Sequence, residues 1–594
     1  MARYRDDYSD RRDGNFRRFI IIFMLAVILA MGAFLAFWFI THDDSETFEQ
    51  RGFWEFFTHL DRNEIGVVFN GQRSEFEPRP VFVDGELYLP IEFVQNYIDE
   101  HIFWDGGDRV SVTTRTQAFR IDIGQLAHTV NGVSAQLDLP VIMMDEQPHI
   151  PARFVAGLHG FEFDFKEYIN TVVMTNTSAI QILARVVYDD EPLRFEMPEN
   201  RRITFFQSRS PVLVQRGLSA DETLIVIDDS GDFYLVQTQD GLLGYVAADK
   251  IEVVNLPQPV AEMPLQPVFD GMVNMVWDLM SNNTAVRNEV RRYVPYGLNV
   301  ISPTFFEFCP TLDGTILSIA DQGYVDWAHS NGWQVWALVA DKLDGHFRSD
   351  VSRHVFTNTA HREKAIDQLV AFTEQYSFDG ICINFEAIRP EYAGTYIQFL
   401  RELAPLLRER GIILSVTMFV PMNHNLFYNR EQAALAADFI IIMGYDEHYA
   451  TSAVAGPNAS IGFVQNGINR TLWEVPHHQI ILGIPLYVRV WRETETAGGI
   501  RVTQNAMGMD AAYDLFVSNG ATFEWCDVTM SYYAEFRGVD EDGQTYRRRV
   551  WLEEERSISA KLDLVIYHEL AGAAGWRKGL ERPAIWGVLA EYLR

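Results

Sequence analysis

From Val268 to the C-terminus of this 594-residue chain, short apolar runs alternate with longer amphipathic stretches, and no other feature limits the fold as tightly. The runs are "MVNMVW", "NVISPTF", "QVWALVA", "GICINFE", "IILSVTM", "FIIIMGY", "IILGIPLY" and "GAAGW". Near-continuous apolar character is what strands buried on both faces require. Between them lie stretches such as "AHREKAIDQLVAFTEQY" and "TYIQFLRELAPLLRERG", whose apolar residues recur at helical spacing. Strand–helix alternation builds a parallel sheet, and eight strands in roughly 325 residues predict a closed (β/α)8 barrel, a TIM barrel, over residues 268–594. The long stretch between the seventh and eighth runs, residues 488–570, is expected to hold a small insertion subdomain.

Barrel chemistry sits at the C-terminal ends of the strands, which draws attention to "SFDGICINFEAI" at residues 377–388. Strand alternation puts Cys382, Asn384 and Glu386 on one face, about 6.6 Å apart, with Ile381, Ile383 and Phe385 turned to the helices. Glu386 is then expected as the last inward residue of the fourth strand, at the barrel mouth. A charge at such a place is costly without a partner, so it calls for a reason. Cys382 reads as a buried thiol serving as a small hydrophobe.

The N-terminus carries a second constraint. Residues 19–40, "FIIIFMLAVILAMGAFLAFWFI", have no charged side chain and as a helix would span roughly 33 Å, enough to cross a bilayer. Arg3, Arg5, Arg11, Arg12, Arg17 and Arg18 precede the run, and "THDDSE" follows it without a small-residue cleavage site. The expectation is a cytoplasmic tail over residues 1–18, a single transmembrane helix over 19–40 and an extracytoplasmic remainder at the cell surface.

The region between is built of smaller parts. "LPIEFV" at residues 89–94 returns as "IPARFV" at 150–155, and the same 61-residue offset relates Trp104 to Phe165 and Val112 to Val173. Each copy reads as a strand, a short Pro-started helix and a strand pair, which predicts tandem α+β repeats over residues 62–178. The pair resembles the small repeated domains found at the N-terminus of copper amine oxidases. It has no His or Cys cluster that could hold copper, and it is read as a spacer or wall-binding stalk. Residues 195–255 are short alternating stretches with a "DDSGD" hairpin turn, and "DGLLGYVAADKI" resembles the closing strands of bacterial Src-homology-3-like domains, small β barrels. A Pro-rich linker at residues 256–267 leads into the barrel.

"FDGICINFE" resembles the signature DGxDxDxE of glycoside hydrolase family 18, the chitinases and related endo-N-acetylglucosaminidases, with Asp379, Gly380 and Glu386 matching. "IIIMGYDEHY" supplies the Met-x-Tyr-Asp of that family at Met443, Tyr445 and Asp446. "LGIPLYVRVW", containing Tyr487, is similar to its seventh strand, and "GAAGWRKG" to its eighth, with Trp576 in the place of the sugar-stacking tryptophan. "YDEHYATSAVAGPNASIGFVQNGI" looks most like the branch of spore and cell-wall peptidoglycan hydrolases. The resemblance implies a glycosidase acting on an N-acetylated polysaccharide by a substrate-assisted route, without cofactor or metal. It assigns Glu386 as acid/base, Asn384, Tyr445 and Asp446 as groups around the acetamido arm, and Trp576, Met443, Trp336 and Tyr487 as substrate contacts. Trp336 is equally well read as core. The second and third acids of the signature are here Cys382 and Asn384. Losing one preorganised charge of that kind costs about 3–4 kcal/mol, which slows chemistry without abolishing it. The alternative reading is a glycan-binding envelope protein that has kept the cleft and lost turnover.

The remaining composition mostly excludes. A formal charge of −32 argues against a nucleic-acid partner. Cys309, Cys382 and Cys526 show no metal-like or disulfide spacing. His448, beside Asp446 and Glu447, reads as loop structure or a substrate contact in preference to a metal ligand, and His477–His478 as a solvated turn on the opposite rim.

Overall fold

In the computed structural model the eight apolar runs become β1 (Val273–Asp278), β2 (Val300–Phe308), β3 (Gln334–Ala340), β4 (Gly380–Asn384), β5 (Ile413–Phe419), β6 (Phe439–Met443), β7 (Ile480–Pro485) and β8 (Gly572–Trp576). Described residues are 19–34, 48–50, 65–69, 72–74, 78–167, 170–176, 182–194, 212–229, 231–239, 242–255, 269–281, 293–496 and 498–593. The strands pair in parallel in the order β1-β8-β7-β6-β5-β4-β3-β2, and β2 pairs back onto β1, so the barrel closes. β1, β4, β6 and β7 are buried at every position, which accounts for their unbroken apolar sequence. Helices α1 (Thr359–Tyr376) and α2 (Ala393–Glu409) flank β4 in the chain. The Asn358 side chain caps α1 by accepting the His361 N–H.

Between β7 and β8 the expected insertion is present. Strands Tyr487–Thr496, Gly499–Gly508, Glu524–Cys526, Ser531–Val539 and Thr545–Leu552 form one antiparallel sheet with helix Met509–Ser518 against it. Val488, Val490, Phe516, Phe536, Val550 and Leu552 give it a core of its own.

The tandem repeat expected over residues 62–178 is divided. One compact unit takes residues 90–151 together with 263–594; the other takes 1–89 and 152–262. Residues 103–136 form a five-stranded antiparallel sheet that packs on the barrel helices. Arg120 pairs with Glu363 and Asp367 of α1, and Arg109 also reaches Glu363. Arg401 of α2 donates to the Thr113 carbonyl, and the Phe103 ring lies 4.4 Å from the Arg362 guanidinium.

In the other unit, Phe161–Lys166 and Thr171–Asn176 form a sheet with Gly66–Phe69 and Gln72–Ser74. A second sheet holds the strands from Ile182–Val186 to Ile251–Asn255, with Ala184, Leu193, Leu224, Val236 and Val246 at its centre. It takes in Ile182–Val186 and Glu191–Arg194, so it begins before the expected boundary at residue 195. The "DDSGD" turn joins Thr223–Asp229 to Phe233–Thr238 as an antiparallel hairpin. Residues 195–211 of the expected small barrel, the linker at 256–267 and the tail at 1–18 lie outside the described residues. Residues 19–34 are helical with exposed apolar side chains, and residues 35–40 of the expected span fall outside the description. Among the described residues no helix is long and apolar enough to cross a membrane.

Candidate active site

Glu386 lies at the C-terminal end of β4, but two residues past it, because the strand stops at Asn384. The backbone N–H groups of Glu386 and Ala387 leave the ladder and donate to the Asp341 carboxylate at 2.9 and 2.8 Å. The Glu386 carboxyl is half-buried, and burial pushes its pKa above the ordinary glutamate value, with the charge of Asp446 adding to the effect. The Asn384 amide and the Lys342 ammonium act in the opposite direction. A shift in that direction favours the protonated form, which is the form a general acid uses.

Asn384 is 7% exposed and donates its Nδ2 to Glu386 Oε1 at 3.0 Å. Its Oδ1 is buried and meets no protein donor. With the amide committed to Glu386, the carbonyl is an acceptor left for something else, and a buried acceptor without a partner is costly. Alternation along β4 thus delivers the pairing of Asn384 with Glu386.

The exits of β6, β7 and β8 bring in the other groups. Met443 is the buried last residue of β6, with Tyr445 and Asp446 just beyond. Burial lifts the Tyr445 phenol well above its usual pKa, and the nearby Tyr487, Glu386 and Asp446 reinforce it. Asp446 takes a positive φ of 61°, a strained backbone for a residue with a side chain. Its carboxylate is held by Arg489 through Nε at 3.1 Å and through Nη2, and by the Tyr487 hydroxyl. The Tyr487 ring stands edge-on to Tyr445 at 6.3 Å. Half-buried Trp576 ends β8 and meets Trp277 of β1 edge-on at 5.8 Å.

Other sequence candidates fall elsewhere. Trp336 is fully buried, stacked on Phe439 at 5.6 Å, and both lie at the N-terminal ends of their strands. It belongs to the barrel floor and does not line the mouth, which resolves its double reading in favour of core. A Cβ on Gly380 would come within 2.7 Å of that indole, so a glycine is needed where β4 crosses it. Asp379 is also at the floor, accepting the Val335 N–H at 2.8 Å. Cys382 is buried in the core with its Sγ 3.5 Å from Thr417 Oγ1. His448 turns its Nδ1 to the Pro457 carbonyl at 3.0 Å and packs its ring on Gly456, as a loop residue does. His477 and His478 are exposed in a short turn before β7.

Two mouth residues were not singled out in advance. Arg489 shares the face of Tyr487 by strand alternation, a signal available within "LYVRVW". Asp341 is the first residue past β3, and a charge directly after the apolar run "VWALVA" was its only mark.

The family model for glycosyl hydrolases family 18 matches residues 345–580, and that for the copper amine oxidase N-terminal domain matches residues 68–174. A glycosylase of Bacillus subtilis (strain 168), YvbX, is 24% identical over 321 residues, covering 52% of this chain and 88% of that protein. The cortical fragment-lytic enzyme of the same organism is 25% identical over 296 residues, covering 48% of this chain and 66% of that protein. Among solved structures, the Bacillus cereus spore cortex-lytic enzyme SleL has a TM-score of 0.49 at 20% identity, covering 64% of this chain and 90% of that one. Between the exit of β3 and the exit of β8, where Glu386, Tyr445, Asp446 and Trp576 stand, this chain carries a domain of the glycosyl hydrolases family 18.

Proposed function

We propose that the chain is a retaining glycosidase that cleaves N-acetylglucosaminyl linkages in peptidoglycan or a chitin-like glycan, with the acetamido group of the substrate as nucleophile. The carrying observation is the division of labour at Asn384: its amide is spent on the acid, and its buried carbonyl is left to accept one N–H. An acetamido N–H placed there would turn its own oxygen toward the anomeric carbon. In the first step Glu386 gives its proton to the leaving oxygen, the glycosidic C–O bond breaks and the acetamido oxygen bonds to the anomeric carbon. Water then adds to that carbon, the ring of the oxazolinium opens, and the Glu386 carboxylate takes the proton from water. Tyr445 and Asp446 border the acetamido arm, and Trp576 supplies an apolar floor. A relative named for lysing cortical fragments supports wall glycan as the polymer.

Glu386→Gln keeps the shape and the contact with Asn384 but holds no transferable proton. It is expected to abolish release of reducing ends from peptidoglycan or N-acetylglucosamine oligomers while leaving oligomer binding within about twofold. A variant as active as the natural protein would remove the acid from its role. Firm binding without turnover in the natural protein would favour the glycan-binding alternative, which the replacement of two signature acids by Cys382 and Asn384 supports.

The apolar run at residues 19–40 behind six arginines supports an anchored form with the catalytic domain outside the cytoplasm. Protease applied to intact cells is then expected to remove the domain, and full protection would refute the placement.

A further inference from the structure

Asp341 stands directly beneath the turn that carries the acid. β3 and β4 are in register up to Ala340 opposite Asn384, so Asp341 is one step beyond the last pair of the ladder. It is 1% exposed, and its two oxygens each accept one N–H, from Glu386 and from Ala387. The side chain thereby adds two bonds past the point where the strand stops. Tyr428 donates its hydroxyl to the Glu386 carbonyl at 3.0 Å, so the backbone of the acid is gripped on both sides. The Arg348 N–H returns to the Asp341 carbonyl at 2.9 Å and closes the hairpin that follows β3.

We propose that Asp341 is a positioning residue for the glycosidase reaction: its carboxyl group, by accepting the Glu386 and Ala387 N–H groups, fixes the turn that aims the acid. The inference rests on the assignment of Glu386 as the acid. An amide could not do the same work, because Asn has one acceptor oxygen and would set its NH2 against the second N–H. Burial pushes the Asp341 carboxyl up to about 7, the two N–H groups draw it down and the Glu386 charge lifts it. A buried carboxyl held at that cost needs a use. Around it lie Glu386, Tyr396 of α2, Tyr428 with Arg430 behind it, and Lys342 next in the chain. Glu386 itself also feels Lys342 and Asp446.

The test compares Asp341→Asn and Tyr428→Phe in the full chain on an N-acetylglucosamine oligomer. Asp341→Asn is expected to lower kcat about a hundredfold with KM within twofold. Tyr428→Phe, which loosens the same backbone from its carbonyl, is expected to lower kcat with KM likewise within twofold. An Asp341→Asn variant that melts earlier but keeps kcat would overturn the proposal. If that variant does not fold, unchanged kcat in Tyr428→Phe overturns it. Glu386→Gln without activity beside a fully active Asp341→Asn removes this inference alone; an active Glu386→Gln removes the acid assignment under it.

Discussion

In the proposed reaction Asn384 would offer the acetamido group a dipole where a carboxylate would offer a charge. Asn384→Asp is expected to raise kcat by about tenfold to a hundredfold, part of the roughly 3–4 kcal/mol that one such contact supplies. The pH profile should change with it. The proposed first step needs protonated Glu386, so activity is expected at low pH and is expected to fall as pH rises through the raised pKa of that carboxyl. A new anion within hydrogen-bond reach of Glu386 holds the proton more firmly, so the alkaline limb should move to higher pH. Steady-state rates from acid to mildly alkaline pH check both points, and an unchanged profile would count against the mechanism. The contact of Asn384 with Glu386 was legible because period two puts both on one face. The role of Asp341 was not, because it depends on where the neighbouring strand ends and its N–H groups turn away.

Strands explain why Trp336 was open to two readings. Sequence alternation tells which face of β3 a side chain takes, but not its depth along the barrel axis. The floor position follows from the register, which sets Trp336 opposite Gly380 at the start of β4 and Ala340 opposite Asn384 at its end. The indole fills the space left by Gly380 and stacks on Phe439. Trp336→Ala is therefore expected to cost about 3–5 kcal/mol of stability through the cavity it leaves, with KM for oligosaccharide unchanged. Denaturant unfolding beside a Michaelis curve measures both, and a raised KM at full stability would return Trp336 to the cleft.

At the scale of the whole chain, the barrel and its insertion could be read from periodicity, whereas the docking of residues 90–151 could not. A repeat signature reports pairing inside each copy and is silent about the surface on which a copy comes to rest. That surface is set by Arg109 and Arg120 meeting Glu363, whose side chain is only 7% exposed. Replacing both arginines with alanine strands this carboxylate. The expected loss is about 2–3 kcal/mol, discounted from a fully buried pair because Arg109 is over a third exposed. Thermal melting reads it, and an unshifted transition would show that the arginines contribute nothing to the docking.

Asp446 comes from the barrel, yet Arg489 and Tyr487, which hold it, open the inserted sheet. The seam between the two architectural parts therefore runs through the candidate site. Chimaeras that exchange the inserted lobe between homologues must carry both ends of this clasp, or leave the Asp446 carboxylate without its orientation.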